Sequence, residues 1–295
     1  DLFVANAYRQ DFPVPGFTSQ ATAILNVNRE GKGAYYNNNG FLERPSSLGD
    51  ERPRDYTVGY LGWNGDGHFG TWNLQASLYA AVGRDDRHPL AGRSQDIRAG
   101  FAAAELSRDF SWVRLRLNAL AASGDKDPFD DKATGFDAIL ENPQFAGADT
   151  SFWIRQAVPL VGGGGVALSG RNGVLPSLRS SKDQGQSNFV NPGLLLLGVG
   201  ADADLMPELR ASANLSYLRF QDTTVLGVLR AQAPPDREIG WDVSASVQYR
   251  PFMSQNLVLN ASAAALLPGK GMKQLYDEDR RGPQYSILVN LLLSY

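Results

Sequence analysis

The sequence predicts an all-β fold, an antiparallel up-and-down transmembrane β-barrel, and three observations predict it. Long segments alternate apolar and polar residues with a period of two. The connections between those segments alternate between short and long. The final stretch, from Tyr285 to Tyr295, is apolar on one face and aromatic at both ends. In this reading the 295 residues are one barrel domain.

The segments, in order, are 1–10, 17–29, 55–64, 70–83, 95–107, 110–122, 150–160, 164–171, 193–205, 208–220, 239–250, 256–267 and 285–295, about 13 strands in all. Many exceed the ~5–6 residues of a soluble strand and match the ~9–11 that cross a bilayer at a tilt. In 70–83, Trp72, Leu74, Ala76, Leu78, Ala80 and Val82 oppose Asn73, Gln75, Ser77 and Tyr79. In 110–122, Val113, Leu115, Leu117 and Ala119 oppose Arg114, Arg116 and Asn118. In 193–205, Leu195, Leu197, Val199, Ala201, Ala203 and Leu205 oppose glycines, Asp202 and Asp204. In 239–250, Ile239, Trp241, Val243, Ala245, Val247 and Tyr249 oppose Asp242, Ser244, Ser246, Gln248 and Arg250. Segments 1–10, 55–64 and 164–171 alternate poorly, and the same alternation sets Glu105 on the apolar face of its strand.

Short links fall at 10–16, 64–69, 108–109, 161–165, 206–207 and 251–255; long ones at 30–54, 83–94, 123–149, 172–192, 221–238 and 268–284. Short turns at one rim and long loops at the other are the plan of bacterial barrels, with the long loops outside. An odd strand count leaves the first and last strands running the same way, which an antiparallel closure forbids. The expectation is therefore an intact barrel of at least ~14 strands, with either a further strand within these residues or, the preferred reading, at least one strand before Asp1.

Composition removes several classes. There is no cysteine, hence no disulfide, thiolate metal site or covalently attached haem. The net charge of −3 and the lack of a basic tail speak against nucleic acid as a partner. No apolar run reaches the roughly 20 residues of a spanning helix. His68 and His88 lie apart, and nothing matches a nucleophile elbow or a zinc-protease helix. The reading is of a protein that is not an enzyme and carries no cofactor.

The polar face supplies the candidate site. Arg98, Arg114, Arg116 and Arg155 fall on it in three successive strands and predict a basic patch on the lumen wall. Asp125, Asp127, Asp130 and Asp131 make the loop 123–149 acidic; oxygen-rich loops hold calcium, although the spacing departs from an EF-hand and a solvated loop fits better. Loops 123–149 and 172–192 are candidates to fold inward. Trp72, Trp241 and Tyr249 sit near strand ends on the apolar side, as interfacial aromatics do.

Tyr285, Ile287, Val289, Leu291, Leu293 and Tyr295, alternating before a final aromatic, resemble the C-terminal assembly signal of Gram-negative outer-membrane β-barrels. That resemblance implies residence in the bacterial outer membrane, contact with its lipid, and recognition of the last strand by the barrel-assembly machinery. Three functions go with it. The first is a porin-like channel for small hydrophilic solutes, anions among them. The arginine-bearing wall also looks like that of alginate-export-type barrels, which implies passage of an anionic polysaccharide. The third is a sheath, similar to the porin partner of porin–cytochrome conduits, around a periplasmic or lumenal partner protein.

Overall fold

In a computed structural model of the protein, the described residues are 1–29, 35–36, 40, 42–43, 52–88, 90–138, 146–147, 150–152, 157–159, 165–167, 188–252, 256–276 and 281–294. Their elements are β1 (Leu2–Arg9), β2 (Phe17–Arg29), β3 (Tyr35–Tyr36), β4 (Leu42–Glu43), β5 (Asp55–Phe69), β6 (Trp72–Asp85), β7 (Gln95–Phe110), β8 (Val113–Ala122), β9 (Lys132–Ala133), β10 (Ala157–Pro159), β11 (Gly165–Ala167), β12 (Leu194–Met206), β13 (Leu209–Phe220), α1 (Thr224–Arg230), β14 (Glu238–Tyr249), β15 (Leu257–Pro268), α2 (Lys270–Leu275) and β16 (Gln284–Leu293).

One sheet dominates, in the order β1-β2-β5-β6-β7-β8-β12-β13-β14-β15-β16, every neighbour antiparallel. Its eleven strands follow chain order, the up-and-down plan of a transmembrane barrel wall. At one rim the turns are tight: Gly70, at φ +62°, turns β5 into β6, and Ser111, at φ +57°, turns β7 into β8. The other rim carries the long connections.

Two expected strands are not found in the wall among the described residues. Those of segments 150–160 and 164–171 contribute β10 and β11, which pair with each other, while β8 pairs directly with β12 from Leu194↔Ala122 to Ala203↔Val113. Among the described residues the wall thus has eleven strands where thirteen were expected, still an odd number, with β1 and β16 running in the same sense.

Register fixes the faces. Leu61, Ala80 and Gly100 share a row, as do Leu78 and Ala102. On that outer face Leu61, Leu78, Leu117, Leu197, Val199, Ile287 and Val289 are all half exposed or more. A continuous apolar surface of this kind needs lipid against it. The opposite, inner face carries Gln75, Ser77, Asn118, Asp202, Asn214 and Ser246.

The inner face is also apolar toward the long-loop rim. Leu120, Leu194, Leu196, Leu218, Phe220 and Leu266 point inward and are buried. They join one core with Phe136, Phe152, Phe189 and Val190 from the β8–β12 connection and with α1 and α2. Ile239, expected toward lipid, belongs to that core as well: a register shift between Leu218 and Arg219 turns it inward.

Candidate functional site

Below that core, toward the short-turn rim, charged side chains on the inner face form a belt across four adjacent strands. Arg116 on β8 is its centre. One guanidinium nitrogen lies 3.0 Å from Asp202 Oδ1 on β12 and 2.8 Å from Asn214 Oδ1 on β13; another lies 3.8 Å from Glu105 on β7. Gly200 makes room for it, since a Cβ there would press on the guanidinium. Arg114, one inward position nearer the short-turn rim, forks onto Asp109 at 2.6 and 3.0 Å. Arg210 reaches Asp202 at 3.5 Å and Asp204 at 3.9 Å.

Three arginines therefore face four carboxylates, and the belt carries one net negative charge. The expected basic patch is corrected on two counts. First, the wall's own carboxylates neutralise Arg114 and Arg116. Second, Arg98 shares a row with Val82 on the outer face. The β7 register, read through Asp109↔Arg114 and Glu105↔Asn118, turns its odd residues inward, so Glu105 joins the belt and Arg98 leaves it. Arg155 and Tyr295 lie outside the described residues.

Above the belt, described residues of the β8–β12 connection, among them Phe136, Asp137, Ala146 and Thr150, pack against the inner face. Tyr60 Oη donates to the Asp137 carbonyl at 2.9 Å, and its ring meets Phe136 edge-on at 6.2 Å; Phe101 stacks on Phe136 at 5.3 Å. The Ala146 amide bonds Glu105 on β7, and Thr150 Oγ1 lies 3.1 Å from Ser244 Oγ on β14. One short stretch thus touches strands four apart in the sheet. Gly147, at φ +71°, passes so close to Asn214 that a side chain would collide with it.

Buried polar groups latch this segment. His88 Nε2 is 3.1 Å from Asn188 Oδ1, and its Nδ1 accepts the Leu90 amide at 3.3 Å, so both ring nitrogens are occupied. Burial, reinforced by the Arg54 charge, pushes the imidazole down to about 3. Asn191 donates to the Phe136 and Asn188 carbonyls at 3.0 and 3.2 Å. Arg54 and Asp85 form a buried ion pair at 2.8 Å.

The acidic loop residues do not converge. Asp125 accepts the Thr134 hydroxyl at 3.0 Å, Asp127 the Phe129 amide at 3.0 Å and Asp130 the Lys132 amide at 2.7 Å. The Asp127 and Asp130 bonds close local turns, the Asp125 bond reaches nine residues along the chain to Thr134, and no cluster able to hold a metal ion occurs among the described residues. Burial pushes the Asp125 carboxyl up to about 6, against the pull of its Thr134 hydrogen bonds.

On the outer face Trp72 and Tyr249 stand at the short-turn end and Trp241 at the other, all exposed. Arg108 lies over the rings of Trp72 at 5.4 Å and Phe110 at 4.9 Å. Tyr285, Ile287, Val289, Leu291 and Leu293 share the outer face of β16.

A lipid-facing apolar surface, a polar inner face and rims of unequal loop length define the wall of a transmembrane, up-and-down β-barrel. The chain is similar in architecture to the porin NanC (TM-score 0.36, 6% identity, over 100% of this chain and 99% of that one). It is also similar to the outer membrane protein opdK of Pseudomonas aeruginosa (0.42, 13%, 95% and 67%). OccK2 (OpdF) of Pseudomonas aeruginosa, solved in complex with glucuronate, gives 0.41 and 14%, over 95% and 68%. Outer membrane phospholipase A of Escherichia coli gives 0.32 and 9%, over 99% and 77%. No protein-family model and no curated protein matches the sequence.

Proposed function

We propose that the chain forms a passive channel of the bacterial outer membrane, through which small hydrophilic solutes pass by way of the charged belt. The belt carries this reading: cations and carboxylates alternate across β7, β8, β12 and β13 at 2.6–3.9 Å. Such a lining offers partners to both ends of a dipolar solute, and its balance favours neutral and zwitterionic species over bare anions. The infolded segment narrows the route above it.

In this reading the exposed aromatics anchor the wall at the two membrane interfaces, β16 is the strand read by the assembly machinery, and no residue performs covalent chemistry. Conductance in a planar bilayer tests it. Ohmic steps with weak selectivity are expected, and Arg116→Gln, which removes one positive charge from the belt, shifts the reversal potential toward cations. Closed bilayers together with a co-purifying haem protein would replace the channel by the sheath. Anion-selective currents blocked by uronate oligomers would replace it by polysaccharide export.

A further inference from the structure

The outer face of β2, β5, β6 and β7 changes character in a single step toward the long-loop rim. Its rows read Ala21, Trp63, Leu78, Ala102; then Ala23, Leu61, Ala80, Gly100; then Leu25, Gly59, Val82, Arg98; then Val27, Thr57, Arg84, Asp96. Apolar side chains thus give way to two guanidiniums within two rows. Arg84 and Arg98 are 69% and 68% exposed and share Asp96 at 3.8 and 3.9 Å. Those separations are longer than a charge-assisted hydrogen bond of ~2.7–2.9 Å. The trio carries one net positive charge; in the next row toward the rim Arg29 lies 3.7 Å from Asp55, and the Asp86 carboxylate accepts the Asp55 amide at 2.7 Å.

Beneath the arginines the wall is bare. Gly59 and Gly100 carry no side chain, and a Cβ at either would meet nothing nearer than a neighbouring carbonyl oxygen, at 3.7 and 4.0 Å. Ala80 and Ala102 continue the smooth track between the raised side chains of Leu61, Leu78 and Val82. A cation pair directly above a shallow apolar track matches an anionic headgroup joined to an acyl chain.

We infer that this face binds one phosphate-bearing lipid of the surrounding outer leaflet, its phosphate held by Arg84 and Arg98 and an acyl chain lying along Gly59, Ala80, Gly100 and Ala102. The site depends on the orientation of the wall in the membrane and not on what the channel passes. Loss of both cations is expected to weaken retention on the order of tenfold or more.

Native mass spectrometry of the detergent-solubilised protein, loaded with diphosphoryl lipid A, tests this. The wild type is expected to retain one lipid through detergent release. The Arg84→Gln/Arg98→Gln variant is expected to lose retention about tenfold or more, and Gly100→Leu, which fills the track while leaving both charges, to reduce it as well. Arg108→Gln, at the opposite rim, serves as the control for general charge loss. Free inorganic phosphate is expected not to compete at equal concentration. Equal retention by the wild type and the double arginine variant would overturn the site; so would equal retention of lipid A stripped of its phosphates. Competition by inorganic phosphate would show an anion site without a lipid requirement and would overturn the acyl track.

Discussion

Arg116 has three partners from three other strands, so it is the residue whose loss the wall feels most. In Arg116→Leu, Glu105 and Asp202 face each other with no cation between them. The side chain is mostly shielded, and removing one member of such a group leaves uncompensated charge. The expected cost is about 2 kcal/mol, read as a lowered urea midpoint in detergent micelles, with no change if solvent screens the trio. Asp125 gives a pH signature of known sign. A carboxyl raised in the folded state stabilises fully below its ordinary value of 3.8 and loses that contribution as pH rises through about 6. Protection factors across residues 123–138, which remove the intrinsic pH dependence of amide exchange, should therefore fall between about pH 4 and pH 6, and Asp125→Asn should flatten the difference. His88 acts with the opposite sign: held down to about 3 against an ordinary 6.5, it stays neutral in the folded protein and contributes stability that grows as pH rises from about 3 toward 6.5, so the comparison with Asp125→Asn isolates the Asp125 slope.

At the scale of elements, the infolded β8–β12 connection stands apart from the wall in its chemistry. It is fastened by side-chain bonds and aromatic contacts to inward residues, and only β9 takes a place in the sheet, against β7. The antiparallel ladders between wall strands do not run through it, and among the described residues its own backbone bonds to the wall are to β7, Asp96 N–H to the Asp131 carbonyl at 2.8 Å and Ser123 N–H to the Gly100 carbonyl at 2.9 Å. Gly147→Val would force a side chain into Asn214 at a φ that only glycine adopts easily. The expected outcome is a folded wall with a displaced segment and a larger single-channel conductance; an unchanged conductance would mean the segment does not set the narrowest point. The segment explains the inward leucines too. Leu194–Leu197 is apolar at both parities because one face meets lipid and the other meets Phe136, Phe189 and Val190. That doubled pattern was the available signal for an infolded loop, since a strand end buried on both sides loses its alternation.

For the whole molecule, the decisive property is the sidedness of every strand. Ala245 and Ser246 are neighbours on β14 with opposite directions. Ala245→Arg places a charge against the hydrocarbon and should cost about 2–4 kcal/mol. Ser246→Arg enters the polar interior and should be tolerated. Heat-modifiable mobility in detergent gels compares the folded fractions; equal losses for the two would contradict the assignment of faces. The eleven-strand wall also concentrates charge unevenly, with a mixed belt within and an arginine pair without, and only the register separates them.

The amino-acid sequence alone determined the class of architecture, eleven of the strands to within a few residues, their order, the sorting of loops by rim and the lipid face of β6, β8, β12 and β16. Each of these follows from local alternation and from the length needed to cross a bilayer, both written in consecutive residues. The tertiary structure decided which side of β7 faces inward, and so exchanged Arg98 for Glu105. It also turned Ile239 into the core, set β8 against β12, and brought Arg116, Asp202, Asn214 and Arg210 together. Those outcomes depend on register and on pairing between segments far apart in the chain. A shift of one residue reverses every side chain of a strand, and the choice of neighbour is made by hydrogen bonds that no single segment contains.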